Sequence, residues 1–192
     1  MASHGKAVSH AGNWPREDPA ELAAFYGKFE LGSNGLPTTK WEAAHLVTIR
    51  TPYPMRAAWD LRLAIIGIRC HRRVAESLSN VLEKIFEAYG SLAEVRHYGM
   101  DRFGGAYNYR RISGSSKLSL HAYGAAIDLD PEHNPLGPAW RAGAGMMPML
   151  VVELFEEAGW KWGGRFEGRK DCMHFQATGE AGRHQRVLVS RD

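Results

Sequence analysis

Only two cysteines occur in the 192 residues, Cys70 and Cys172, and neither has a second cysteine close by. A disulfide framework needs several bridges and a cysteine zinc site needs paired thiols, so neither organises this chain. Long apolar runs are missing too. The longest, such as "LAIIGI" at 63–68, falls far short of the roughly 20 residues that cross a bilayer, so no stable membrane association is expected. The N-terminus, "MASHGKAVSHAGNWPRED", lacks the apolar stretch of a secretory signal. The expectation is a chain made and left in the cytoplasm until something else releases it. An excess of one charge is also absent. The net charge of +3 is spread over the chain apart from "RCHRR" at 69–73, which favours an anionic partner without pointing to nucleic acid. No internal repeat or heptad run appears, which excludes solenoids and coiled coils.

What is present fits one domain with a substantial core. Residues 1–17 read as a flexible lead. Asp18-Pro19 then gives an N-cap followed by proline at the first helical position, so "AELAAFYGKF" continues as a short helix. "GSNGLPTTK" at 32–40 is turn chemistry, and "HLVTIR" at 45–50 reads as a short strand. "TPYPM" at 51–55 is expected to break regular structure, because proline cannot donate to a ladder. The strongest helical signal is "RVAESLSNVLEKIFEAYG", 73–90. There Val74, Leu78, Val81, Leu82, Ile85, Phe86 and Tyr89 recur at three- and four-residue steps, and Gly90 is placed to end the helix. A second helix is expected within 147–159, with Leu150, Val151, Leu154 and Phe155 as its stripe. Strand-like pieces lie at 93–99, 124–130 and 172–177. This order predicts an α+β domain, a small and mainly antiparallel sheet with helices packed on one face.

Within "SLHAYGAAIDLD", 119–130, His121 and Asp128 stand seven residues apart. For both to reach one zinc, their donor atoms must come within about 2.0–2.2 Å of it. A straight strand would separate them by about 23 Å and a helix by about 10 Å. The chain must therefore fold back, and Gly124 permits the reversal. In a strand beginning there, Asp128 shares a face with Ala126 and Asp130 while Ile127 and Leu129 point into the core. "DCMHFQ", 171–176, offers a third ligand. In a strand His174 shares a face with Cys172 and Gln176, whereas Asp171 has the wrong parity and belongs at the strand's mouth, the position of a general base. Taken singly, each residue also fits an ordinary structural role. His133 in "DPEHNP" and His184 are rival ligands in polar, turn-rich sequence.

"SLHAYGAAIDLD" resembles the Ser-x-His-x-x-Gly-x-Ala-x-Asp motif of the D-alanyl-D-alanine carboxypeptidase and L-alanyl-D-glutamate endopeptidase family. These zinc peptidases cut peptidoglycan stem peptides and include VanY-like enzymes and phage endolysins. "WGGRFEGRKDCMHFQ", 162–176, is similar to the same family's Trp-Gly-Gly…Asp-x-x-His-Phe segment. The resemblance spans about 103–177 and implies a hedgehog/D-Ala-D-Ala-peptidase-like fold.

It further implies zinc held by His121, Asp128 and His174, Asp171 as general base, and Ser119 supporting the site or the substrate. The family's upstream arginine falls on Arg110 or Arg111. Arg110 is favoured because it follows the Tyr-x-Tyr run of "YNYRR", and neighbours in a strand face opposite ways. Trp162 is expected either to line the cleft against substrate or to pack in the core. Gln176 stands where many relatives carry glutamate. The expected arrangement is a zinc peptidase domain over 61–192 with residues 1–60 as an extension packed on it. The expected activity is that of a monomeric peptidoglycan peptidase of the lysin kind, cutting L-Ala–D-Glu ahead of D-Ala–D-Ala. The alternative is a zinc-containing binding or signalling module of the same fold, without catalysis.

Overall fold

A computed structural model describes residues 13–179. Most of the lead expected over 1–17, and His184, lie outside the described residues. The elements run α1 (Pro19–Tyr26), α2 (Thr39–His45), β1 (Leu46–Ala57), β2 (Asp60–His71), α3 (Ala75–Tyr89), α4 (Leu92–His97), β3 (Arg102–Gly105), β4 (Ala126–Leu129), α5 (Met149–Glu157), β5 (Lys161–Trp162) and β6 (His174–Gln176). Short 3₁₀ turns cover Leu120–Tyr123 and Gly163–Arg165. The six strands form one sheet in the order β2-β1-β3-β4-β6-β5. Every pairing is antiparallel except β1 with β3. This is the α+β class with a mainly antiparallel sheet that the sequence predicts.

The sheet has a dry face and a polar face, and strand alternation assigns residues to each. On β4, Ile127 and Leu129 are fully buried. On β6, Phe175 stacks on Phe155 of α5 with ring centroids 4.0 Å apart. Helix α3 adds Leu78, Val81, Leu82 and Ile85 to the same core. Each such side chain contributes about 1.5–3 kcal/mol by leaving water. Asp128, His174 and Gln176 have the opposite parity and face away from this core.

Local signals explain most helix ends. Asp18 caps α1 by accepting from the amides of Ala20 and Glu21. Gly90 ends α3 in the left-handed region at φ 70°, its N–H donating to the Phe86 carbonyl. Two expectations are corrected. The segment 93–99 is not a strand but most of α4. Ser91 caps it by accepting from the Glu94 amide at 3.2 Å, and "SLAE" is a capping-box sequence. Nor does "TPYPM" break β1. The strand runs through it, and the pairing with β2 jumps from Arg50↔Gly67 to Met55↔Ile65. Pro52 and Pro54 fall in the unpaired bulge, where no ladder donor is required. β1 and β2 form one long hairpin, so a boundary at residue 60 falls at its turn. Among the described residues no helix is long and apolar enough to cross a membrane.

Gly124 closes the 3₁₀ turn at φ 69°, and a Cβ there would meet the His71 amide nitrogen at 2.9 Å and the Cys70 carbonyl carbon at 3.2 Å. Both obstacles are backbone and cannot swing aside. Gly124→Ala is therefore expected to cost about 2–3 kcal/mol through strain and overpacking. That corresponds to a thermal midpoint lower by about 4–12 °C for a chain of this size. Thermal denaturation checks this; an unchanged midpoint would show that the reversal does not depend on glycine.

Candidate metal centre

Two local devices bring His121 and Asp128 together. Ser119 caps the 3₁₀ turn, its hydroxyl accepting from the His121 amide at 3.3 Å. Gly124 then reverses the chain into β4, with the Ala125 amide donating to the Leu120 carbonyl. The third residue arrives by strand pairing, since Asp128 lies directly opposite His174 in the β4–β6 ladder. Asp128 Oδ1 is 3.1 Å from His121 Nε2 and 2.9 Å from His174 Nδ1, and those two nitrogens are 3.1 Å apart. All three residues are buried or nearly so.

The outer ring nitrogens fix what the inner ones can do. His121 Nδ1 lies 2.6 Å from the Ala106 carbonyl oxygen, which can only accept, so Nδ1 carries the proton and Nε2 offers a lone pair. His174 Nε2 lies 3.1 Å from Gln176 Oε1, leaving Nδ1 free to face Asp128. Three electron-pair donors thus converge, and such a group requires a proton or a cation among them. When a proton fills that role, an imidazole that carries it donates to Asp128: burial alone would raise the Asp128 carboxyl, but hydrogen bonding to the imidazoles prevails and holds it well below the usual carboxylate range. Burial disfavours a charged His174, yet the hydrogen bond and charge of Asp128 prevail and raise its pKa. A tetrahedral zinc with bonds of about 2.0–2.1 Å sets its ligand atoms about 3.3 Å apart. The donor set and its spacing therefore fit a metal ion.

Asp171 sits in the turn that leads into β6. Its amide donates to the Gly163 carbonyl, and its own carbonyl accepts from the His174 amide, both at 3.1 Å. Gly163 has no room for a side chain: a Cβ would stand 2.3 Å from the Asp171 carbonyl oxygen. Asp171 Oδ1 is buried with no hydrogen-bond partner among the described residues. Burial raises its pKa, partly offset by His174, while the Asp128 charge adds to the rise.

Beside His121 and Asp128 opens a cleft of about 390 Å³, with Arg110, Tyr107, Arg69 and Trp59 on its walls. Arg111 faces elsewhere, donating to the Ser116 carbonyl and lining a separate cavity with Tyr109 and Tyr123. Trp162 is buried on β5, its indole N–H donating to the Cys172 carbonyl at 2.9 Å, where it braces the turn bearing Asp171. His133 pairs instead with Asp130 at 2.8 Å, outside the cluster. The sequence reading missed the Ala106 carbonyl, for which no side-chain signal exists. It also missed the cleft wall from the hairpin, where Arg69 lies over the Tyr107 ring at 5.1 Å and pairs with Glu42 at 2.9 Å.

Residues 113–177, about a third of the chain, match a family model described as D-alanyl-D-alanine carboxypeptidase. The matched stretch contains His121, Asp128, Asp171 and His174, and stops short of Arg110 and the hairpin. No curated protein and no solved structure matches the chain.

Two outcomes follow from this geometry. Purified protein is expected to hold one zinc per chain by metal analysis. His121→Ala, Asp128→Ala and His174→Ala should each lose it, and His133→Ala should keep it; loss in His133→Ala alone would reassign the ligands. The second concerns stability without metal. A carboxyl whose pKa is raised by folding destabilises the fold when ionised and has no such effect once protonated in both states. Asp171→Asn is therefore expected to raise the thermal midpoint of metal-free protein at neutral pH and to leave it unchanged below about pH 3. A midpoint lowered at neutral pH would mean that the carboxylate is stabilised where it sits.

Proposed function

We propose, taking as premise that this chain is a metallopeptidase hydrolase whose residues 113–177 match the D-alanyl-D-alanine carboxypeptidase family model, that it is a zinc enzyme cutting peptidoglycan stem peptides. The observation that carries this reading is the convergence of His121, Asp128 and His174 beside a buried, unpartnered Asp171. When bound, zinc supplies Lewis-acid polarisation of the scissile carbonyl and brings the acidity of a water toward neutral pH.

The protein's own groups do the rest. Asp171 accepts the proton of the attacking water on its free Oδ1 and passes it to the leaving amine. Its raised pKa suits that exchange better than an ordinary carboxylate. Arg110 presents its guanidinium to the carbonyl oxygen as negative charge develops there. Ser119 acts through the His121 amide, and Trp162 through the turn beneath Asp171. The cleft extends from the donor cluster to Trp59 and Arg69, leaving room for chain beyond the scissile bond. That room supports endopeptidase cleavage, with L-Ala–D-Glu the favoured bond and D-Ala–D-Ala the next. The role is that of a wall-degrading lysin.

Mass spectrometry of fragments from purified cell walls tests the reading. New amino termini on D-Glu identify endopeptidase action, and release of D-Ala identifies carboxypeptidase action. No new amine end of either kind would leave a binding module. Asp171→Asn is expected to keep zinc and lose about 10²–10⁴ of the rate, the usual loss for a general base. Retained zinc with near-normal turnover would move the base elsewhere. Arg110→Ala is expected to lower turnover about a hundredfold, as for loss of one oxyanion donor, and Arg111→Ala to leave it nearly unchanged. Equal, mild losses would remove the assignment.

A further inference from the structure

The outer side of His174 continues into a chain of polar groups that ends on the N-terminal arm. His174 Nε2 faces Gln176 Oε1 at 3.1 Å. The amide nitrogen of Gln176 donates to Glu17 Oε2 at 3.0 Å and to the Thr178 hydroxyl at 2.8 Å. His174, Gln176 and Thr178 are buried. The arm bearing Glu17 is fixed beside the chain that leaves β6: the Pro15 carbonyl accepts from the Gly179 amide at 2.9 Å, and Trp14 packs edge-on against Phe25 and Trp160.

The order of donors along this chain has a chemical consequence. For His174 Nδ1 to offer a lone pair to a metal, Nε2 must carry the ring proton, and its neighbour must accept. A glutamine can present either its oxygen or its NH₂ group. Turned the other way, it would donate to Nε2 and drive the proton onto Nδ1, closing that nitrogen to a metal. Thr178 cannot decide the matter, because a hydroxyl both donates and accepts. Glu17 can, because a carboxylate only accepts, so the NH₂ group must point outward and Oε1 inward.

We propose that Glu17 is a positioning residue for His174: its carboxylate orients the Gln176 amide, and the amide sets the tautomer that leaves Nδ1 free to bind the metal. The inference rests on the reading of His174 as a zinc ligand. It gives the N-terminal arm, which lies outside the matched segment, a part in building the site.

Zinc affinity by chelator competition at neutral pH, with the thermal midpoint of the metal-free protein alongside, tests it. Glu17→Lys places a donor where only an acceptor serves and should flip the amide. It is expected to weaken zinc binding about 10–100-fold, the usual cost of losing an outer partner of a ligating histidine. Glu17→Ala, which removes the orienting group without opposing it, should weaken binding less. Adding Gln176→Glu to Glu17→Lys should restore affinity to within about threefold, because residue 176 then accepts from Nε2 whatever stands at 17. The metal-free midpoint should not follow this order. Wild-type affinity in Glu17→Lys, or equal losses in Lys and Ala that track the midpoint, overturns the relay while the zinc site stands. Failure of the wild-type chain to bind zinc overturns the ligand assignment and the relay together.

Discussion

Asp128 on β4 and His174 on β6 are direct partners in an antiparallel ladder, with Ile127 opposite Phe175 one step away. Partners of this kind share a face with their Cβ atoms about 4.5–5.5 Å apart. Their functional groups meet without either strand having to bend. The same register seats Phe175 on Phe155, so core packing and donor convergence are fixed by one alignment. A slip of β6 by one residue would turn His174 into the apolar core and Phe175 onto the polar face.

The cluster is costly to assemble without a cation. Three lone-pair donors stand about 3 Å apart, and like partial charges at that distance in a buried place repel strongly. The fold enforces this with acceptors behind each ring, the Ala106 carbonyl for His121 and Gln176 for His174, which hold the ring protons outward. Asp171 adds a carboxyl that burial makes reluctant to ionise. Positioning and strain are concentrated in one small region of the sheet, while α3 and its stripe supply ordinary packing.

Much of this was legible in the residues because it rests on local rules. The 73–90 periodicity and Gly90 mark α3, and Asp18-Pro19 marks α1. Strand parity placed Asp128 opposite the core, whereas Arg110 and Arg111, expected to face apart as strand neighbours, lie outside any of the six strands. Where two local signals compete, the reading failed. "AEVRHYG" read as strand-like, but the Ser91 cap and the packing of Val95 make a helix. Prolines in "TPYPM" suggested a break, but a bulge in the pairing absorbs them. The outer partners were invisible for another reason. Ala106 contributes only a carbonyl, and Glu17 lies 159 positions from the glutamine it meets; no spacing rule joins such residues.

The hairpin has one further consequence. The turn between β1 and β2 supplies Trp59 to the cleft wall, and β2 supplies Gly67 and Arg69, whereas the donor cluster is carried by the turn after Ser119 and by β4 and β6. Cleft wall and donor cluster thus lie on different strands, and they meet where the His71 amide of β2 donates to the Gly124 carbonyl at 2.8 Å. Side chains on the exposed face of β2 can vary in size and charge without disturbing the ladder that pairs Asp128 with His174. The cleft is framed by two parts of one sheet, a hairpin wall whose side chains are free to differ and a donor-bearing ladder whose register is not.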